Sequence, residues 1–159
     1  MAEKPIRVYV DTCVYGGVFD EEFDLVSRIF FQQVRDGRFL LVTSATVVDE
    51  LADAPLRVRL LFDDLKVGAE MLEVGDEALR LQDAYLTAGI LPSRRATDAL
   101  HVALATVAAC HVLVSWNFKH LVHVDLVSQY NVASTALGYR AVPICSPPEV
   151  IDYAKNERL

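Results

Sequence analysis

Short apolar runs alternate with segments of helical spacing along most of the chain. Residues 6–11 (I-R-V-Y-V-D) and 38–43 (R-F-L-L-V-T) are typical of buried strands, because apolar side chains of high strand propensity predominate in them. Between them, residues 21–36 repeat apolar side chains at helical spacing, and Gly37 follows where a helix C-cap belongs. The pattern predicts a strand–helix–strand unit at the start of the chain.

The same alternation continues to the end of the sequence. Helices are predicted from Ser44 as N-cap to about Asp53, over 56–66 and 76–88, from Ser93 as N-cap to about Cys110, and over 125–137. Strands are predicted over 69–74, 111–115 and 141–145, a turn at Gly16–Gly17, and a short helix or turn near 117–121. Strands separated by helices form parallel sheets that are covered on both faces. The predicted fold class is therefore α/β, a three-layer α/β/α sandwich around a central, mainly parallel sheet. The whole chain, 1–159, has the length of a single domain.

The composition is apolar, with 53% hydrophobic residues and a mean hydropathy of +0.27, which predicts helices buried on more than one side. Asp98, His101 and Thr106 nevertheless interrupt the most apolar stretch, 96–114, so no run reaches the roughly 18 residues of a membrane span. The N-terminus lacks the apolar segment and cleavage site of a signal peptide. We therefore expect a cytoplasmic protein with no membrane partner.

The net charge of −7 limits the kinds of nucleic-acid binding that the chain can support. Tight and general binding to phosphate backbones normally requires a basic face on the protein. An RNA partner must therefore be bound through a metal ion and a few local cations. The three scattered cysteines predict neither a disulfide framework nor a zinc site.

Polar side chains follow the predicted strands at their carboxyl ends. Asp11 closes the first strand, Glu50 lies in the helix after the second, and Asp98 lies in the first turns of the apolar helix. Ser115 closes a later strand, and Asn117 follows it. In parallel sheets these positions meet at one edge. Oxygen ligands from separate elements suit Mg²⁺ or Mn²⁺, which can activate water for phosphodiester hydrolysis.

Each of the three acids also has a structural interpretation. Asp11 could cap the turn that follows its strand, and Glu50 could be one of several solvated acids on its helix. Asp98 could be stabilised by the positive end of its helix. Of the three acids, Asp98 is the strongest candidate for a metal ligand, because it is the one carboxylate in a helix that is apolar nearly all round.

Four motifs resemble the PIN domain: V-Y-V-D-T (8–12), V-V-D-E-L (47–51), A-T-D-A-L-H-V-A-L-A (96–105) and V-S-W-N-F (114–118). The resemblance spans nearly the whole chain and is most specific at D-T and T-D-A-L. Many PIN domains are VapC-like ribonuclease toxins of bacterial and archaeal toxin–antitoxin pairs. The resemblance implies an endoribonuclease that depends on Mg²⁺ or Mn²⁺ and cleaves RNA phosphodiester bonds as the toxin of such a pair.

The resemblance also implies roles for particular residues. The catalytic and metal-binding acids would be Asp11, Glu50 and Asp98, with supporting hydroxyls at Thr12 and Ser115. The fourth position departs from the family, which usually has an aspartate two residues after the Ser or Thr, whereas this chain has Asn117. An amide oxygen can still reach a cation or orient a water, but it brings no charge. We therefore expect Asn117 to hold a second ion less firmly.

Other residues near this edge have two interpretations each. Arg94, Arg95 and Lys119 could contact substrate phosphates or be ordinary solvated charges. His101 lies one turn after Asp98 and could support a metal ligand through a hydrogen bond, but a core histidine with its hydrogen bonds satisfied is the favoured interpretation.

Two further partners and two further functions remain open. Phenylalanines and leucines exceed what a small core easily contains, which predicts a homodimer face or a groove for an antitoxin peptide: Phe23, Phe30, Phe31, Leu60, Leu61 and Phe62. A phosphatase with Asp11 as nucleophile is disfavoured, because Cys13 stands where a second aspartate is needed. The main alternative is a catalytically weak or inactive PIN-like module that binds protein or RNA, as Asn117 and the acidic charge suggest.

Overall fold

The computed structural model describes residues 4–155, which contain a five-stranded sheet. The strands are β1 (Ile6–Val10), β2 (Phe39–Ser44), β3 (Glu70–Leu72), β4 (Val112–Val114) and β5 (Ile144–Cys145). Their order is β3-β2-β1-β4-β5, and each neighbouring pair is parallel. All five strands therefore end at the same side of the sheet, which we call the carboxyl edge.

Eight α-helices of the described residues cover the sheet. They are α1 (Thr12–Gly17), α2 (Asp24–Arg35), α3 (Ala45–Leu51), α4 (Leu56–Leu65), α5 (Asp76–Thr87), α6 (Ala96–Val107), α7 (Val124–Ala136) and α8 (Pro147–Val150). Helices α2, α3 and α4 contact α1, α2 also contacts α8, and α5 contacts both α6 and α7. The predicted α/β fold with a parallel sheet is confirmed, whereas the extent of the domain over 1–159 stays a prediction.

The central strand explains where a site can form. Val8, Tyr9 and Val10 of β1 are fully buried, and β1 pairs with β2 on one side and with β4 on the other. The chain thus fills one half of the sheet first and then crosses to the other half. Such a switch in strand order leaves a crevice at the carboxyl ends of the two strands, here β1 and β4.

Two predicted caps agree with the structure. Gly37 follows α2 with a φ of +87°, a conformation that glycine adopts readily after a helix. Ser44 Oγ accepts a hydrogen bond from the Val47 N–H at 3.2 Å and so caps α3.

Three local predictions are wrong. The predicted turn at Gly16–Gly17 is instead the end of α1, because Asp11 caps that short helix by accepting a hydrogen bond from the Thr12 N–H. Ser93 does not cap α6; residues 93–95 form a 3₁₀ turn, and α6 begins at Ala96. The last strand is shorter than 141–145, since only Ile144 and Cys145 pair with β4.

The apolar surplus predicted from sequence is mostly inside the protein. Phe30, Phe31 and Phe62 are buried, because Tyr15 fills the space between Phe31 and Phe62 and contacts both rings. That part of the argument for a homodimer face is therefore wrong. Leu60 is exposed at 57%, however, so α4 keeps an apolar outer face. Among residues 4–155 no helix has the length and apolar character needed to cross a membrane.

Candidate metal site at the carboxyl edge

Asp11 lies at the centre of the carboxyl edge and is 5% exposed. Its backbone N–H donates to Val114 O at 3.0 Å, which ties the end of β1 to β4. Its Oδ1 accepts from the Thr12 N–H at 2.8 Å, and its Oδ2 accepts from Ser115 Oγ at 2.7 Å and from Cys13 Sγ at 3.3 Å. These hydrogen bonds offset the large desolvation penalty of burying a carboxylate. Thr12 and Ser115 thus lie where supporting residues were expected.

Glu50 projects from α3 towards the same edge, with its side chain about one third exposed. Its Oε1 accepts hydrogen bonds from Thr12 Oγ1, at 2.7 Å, and from His101 Nε2. Partial burial raises the pKa of Glu50, but the hydrogen bond and positive charge of His101 outweigh it, so the pKa lies below its usual value. Glu50 is therefore a carboxylate held in its ionised form.

His101 lies on α6 and is fully buried, as expected, but it faces the acids. Its Nε2 is 3.5 Å from Asp11 Oδ1 and hydrogen-bonds to Glu50. Burial lowers the pKa of His101, yet the hydrogen bond to Glu50 and the negative charges around the ring raise it above its usual value overall. The histidine is thus a direct neighbour of two predicted metal ligands.

Asp98 lies in the first turn of the same helix, three residues before His101, and is half-buried. Burial and the negative charge of Asp11 raise its pKa, so the two carboxylates are close enough to interact. Asp98 Oδ2 lies 3.7 Å from His120 Nδ1. Asp98 therefore lies at the rim of the site, beside the tighter group formed by Asp11, Glu50 and His101.

The tighter group fits a divalent ion. Asp11, Glu50 and His101 each offer one ligand atom, and these atoms lie within 4.8 Å of one another. Two adjacent ligands at about 2.0–2.2 Å from one ion lie roughly 3 Å apart. His101 Nε2 and Asp11 Oδ1, at 3.5 Å, are near that separation, whereas His101 and Glu50 are hydrogen-bonded to each other and would have to move apart. The group could thus hold a metal ion, with Asp98 available at the rim.

Asn117 has a structural role in the turn after β4. Its backbone N–H donates to Ser115 Oγ at 2.9 Å, and its Oδ1 accepts from the His120 N–H at 2.9 Å. The side-chain oxygen that could reach a cation is therefore already hydrogen-bonded. Asn117 therefore lies beside the site, and its hydrogen bond to the His120 N–H fixes the position of His120.

Three cations lie on the Asp98 side of the site. Arg94, Arg95 and Lys119 are exposed. Burial, followed by the positive charge of Arg95, lowers the pKa of His120, and the charges of Lys119 and Arg94 act in the same direction. The cations named from sequence are thus close to His120, which itself lies near Asp98, and they form a local positive rim on an acidic protein.

Trp116 supports the loop that carries these residues. Its ring stacks on Phe23 with a centroid distance of 4.3 Å, and its Nε1 donates to Ser27 Oγ at 2.9 Å. Gly17 packs so closely against the Trp116 ring that a Cβ at this position would be 2.9 Å from Trp116 Nε1. Phe118 is 48% exposed at the same loop, which leaves an aromatic ring free to contact a ligand.

Sequence reasoning underrated His101 and did not indicate that His120 lies near Asp98. The signal for His101 was its spacing of three residues from Asp98, which places both on one helical face. No spacing indicated His120, because the turn from 117 to 121 has no periodicity. Its position depends on the hydrogen bond from its backbone N–H to Asn117.

No protein-family model matches the sequence, and no curated protein matches it. Several solved structures resemble the fold, including the following two. One is VapBC2 from Rickettsia felis bound to a DNA fragment from their promoter, with 11% identity, a TM-score of 0.57, and 89% of this chain and 98% of that chain covered. The other is FitAcB from Neisseria gonorrhoeae, with 13% identity, a TM-score of 0.58, and coverage of 90% and 99%.

Both likenesses extend over nearly the full length of the compared chains, whereas the sequence identity is low. They are therefore informative about architecture. The parallel sheet and the helices agree with the predicted fold class, whereas the strand order was not predicted. The chain accordingly has a PIN-like α/β fold similar to chains of the VapBC2 and FitAcB structures.

Proposed function

We propose that this chain is a metal-dependent endoribonuclease that cleaves RNA phosphodiester bonds. The supporting observation is the convergence of Asp11, Glu50 and His101 on one point of the carboxyl edge, with Asp98 at its rim. A cation stabilises carboxylates that converge in a partly buried crevice, because it offsets their repulsion. A divalent ion is the simplest such cation, and the PIN-like fold makes a nuclease the preferred chemistry.

In this proposal Asp11, Glu50 and Asp98 hold the metal, which is Mg²⁺ or Mn²⁺. When bound, the ion supplies an acidified water and neutralises charge on the scissile phosphate. The Thr12 hydroxyl orients Glu50 and the Ser115 hydroxyl orients Asp11, each by donating a hydrogen bond to the carboxylate. These bonds reduce the reorganisation that the site must undergo when substrate arrives.

Asn117 enters the proposal as a weaker fourth ligand. Its Oδ1 already accepts the His120 N–H, and an amide carries no charge to attract a second ion. We therefore propose that one ion is held firmly and that any second ion is held weakly.

Substrate binding is assigned to the positive rim. Arg94, Arg95 and Lys119 would contact phosphates on the Asp98 side, and Phe118 could stack on an unpaired base. Because the net charge is −7, affinity for RNA would come from this rim and the ion. The predicted cytoplasmic location belongs to the proposal, since such RNA is found there.

We further propose that the protein is the toxin of a toxin–antitoxin pair. The fold resembles that of VapBC2 from Rickettsia felis, which was crystallised bound to a DNA fragment from their promoter. Leu56 and Leu60 lie one turn apart on the outer face of α4 and are about 60% exposed. An antitoxin segment would cover this apolar pair. The alternative is that a second copy of this chain covers it in a homodimer.

The competing proposal is a catalytically weak or inactive module that binds protein or RNA. The hydrogen bond that engages the Asn117 oxygen favours it, because the fourth position then contributes little to an ion. Metal-dependent cleavage separates the two functions, since only the nuclease requires an ion for its effect on RNA.

The test is an RNA cleavage assay with purified protein and labelled structured RNAs. We expect cleavage with Mn²⁺ or Mg²⁺, none with EDTA, and none by Asp98→Asn, which removes a charge from the site with little change in volume. Binding of RNA without cleavage by folded wild-type protein at every metal concentration would support the inactive module instead.

A further inference from the structure

A histidine is built into the candidate metal site, and packing fixes its position. His101 is fully buried, its Nε2 hydrogen-bonds to Glu50 and lies 3.5 Å from Asp11 Oδ1. A nitrogen donor that the core holds between two carboxylates makes a mixed nitrogen and oxygen site.

The opposite side of the imidazole ring is also fixed. Tyr9 Oη lies 2.6 Å from His101 Nδ1 and 2.7 Å from Ser44 Oγ. Ser44 in turn accepts the Val47 N–H as the cap of α3, the helix that carries Glu50. Histidines that bind metals have the second ring nitrogen hydrogen-bonded in this way, which fixes the ring orientation. The buried pair of Tyr9 and Ser44 provides that support here.

We propose that His101 Nε2 is a direct ligand of the metal ion together with Asp11 and Glu50, and that Tyr9 and Ser44 orient it. In the ion-free protein a hydrogen lies between Nε2 and the Glu50 carboxylate, because a carboxylate can only accept. For Nε2 to bind an ion, that proton would be released to solvent, and the neutral ring would keep its one hydrogen on Nδ1, donated to Tyr9 Oη. The inference rests on the proposed function only in treating this edge as a metal centre; it does not require RNA cleavage.

The consequence is a preference among divalent ions. Mg²⁺ prefers oxygen ligands and near-ideal octahedral geometry. An imidazole nitrogen favours first-row transition ions, whose affinities follow the Irving–Williams order. The site should therefore bind Mn²⁺ more tightly than Mg²⁺, and the preference should depend on His101.

Electron spin echo envelope modulation of bound Mn²⁺ tests the ligand directly. Wild-type protein with one equivalent of Mn²⁺ should show nitrogen-14 modulation from a coordinated imidazole, and protein labelled with ¹⁵N-histidine should show the nitrogen-15 pattern instead. The modulation should disappear in His101→Gln and persist in His120→Gln, the matched control near Asp98. Bound Mn²⁺ without nitrogen modulation in the wild type, or loss of it only in His120→Gln, would overturn the inference.

Tyr9→Phe tests the orienting role without removing the ligand. We expect the nitrogen modulation to persist while Mn²⁺ binding weakens by about 10-fold, as for loss of a hydrogen bond to a ligating histidine. Unchanged Mn²⁺ affinity in Tyr9→Phe would overturn that part of the inference.

The two proposals can fail separately. Nitrogen modulation in a protein that cleaves no RNA retains the ligand and contradicts the nuclease. Metal-dependent cleavage by a protein whose Mn²⁺ shows no nitrogen coupling retains the nuclease and removes His101 from the ligand set. The labelling experiment uses the wild-type chain, so the ligand question remains answerable if His101→Gln does not fold.

Discussion

Asp11→Asn is expected to reduce metal-dependent RNA cleavage by more than about 100-fold, because it removes a ligand rather than a supporting group, and supporting groups alone contribute about 10–100-fold to metal affinity or activity. Asparagine keeps the volume and one acceptor oxygen of aspartate. The Thr12 N–H can therefore keep its partner, and the variant should fold. The measurement is the initial rate of cleavage at saturating Mn²⁺, with unfolding monitored by urea titration.

The matched control is Asp83→Asn, the same substitution at an exposed position of α5. It should leave the cleavage rate within about twofold of wild type, as expected for a surface change away from the site. Full cleavage by a folded Asp11→Asn protein would contradict the assignment of Asp11 as a ligand.

Gly17→Ala is expected to destabilise the fold by about 1–3 kcal/mol through overpacking. A Cβ at Gly17 would lie 2.8 Å from Ser27 Oγ and 2.9 Å from Trp116 Nε1, the two atoms that hydrogen-bond to each other. The contact must separate Trp116 from Ser27 or displace α1. Trp116 is the one tryptophan of the chain, so its fluorescence reports the displacement during a urea unfolding titration.

Gly16→Ala is the control next to it. No atom lies within 4 Å of a Cβ at Gly16, and alanine is favoured over glycine in a helix by up to about 1 kcal/mol. The neighbouring substitutions should therefore change the free energy of unfolding in opposite directions. Equal changes in the free energy of unfolding for both variants would show that the contact with Trp116 does not exclude a side chain at residue 17.

The fold class could be predicted from the sequence because short local patterns indicate which segments are buried and whether neighbouring strands run parallel. The run before Asp11 is β-branched and aromatic, which predicted a central strand. The apolar helix after Arg95 predicted a buried element with one acid facing inward. Parallel strands then required Asp11 and Ser115 to meet at one edge, and their 2.7 Å hydrogen bond shows that they do.

The finer features depend on contacts that periodicity does not report. Helix α1 has only six residues, too few for a recognisable apolar repeat, and its formation depends on a cap from Asp11. Burial of His101 was expected, but its direction depends on Tyr9 and Glu50, which come from other elements. The role of Asn117 likewise depends on a backbone N–H three residues later.

The exposed face of α4 shows the same limit. Phenylalanine and leucine counts predicted an uncovered apolar surface, yet side-chain packing decides which of these residues contribute to it. Phe62 is buried against Tyr15, whereas Leu56 and Leu60 remain exposed. Composition therefore named several residues that are buried, and the interface itself stays a prediction.

The location of a bound ion tests the central claim most directly, since the ligand roles and the proposed nuclease all depend on it. Crystals grown with Mn²⁺ would be measured for anomalous scattering near the manganese absorption edge. The account predicts a peak at the carboxyl edge, about 2.0–2.3 Å from oxygens of Asp11 and Glu50. No peak there at saturating Mn²⁺, or an ion bound only elsewhere on the protein, would contradict it.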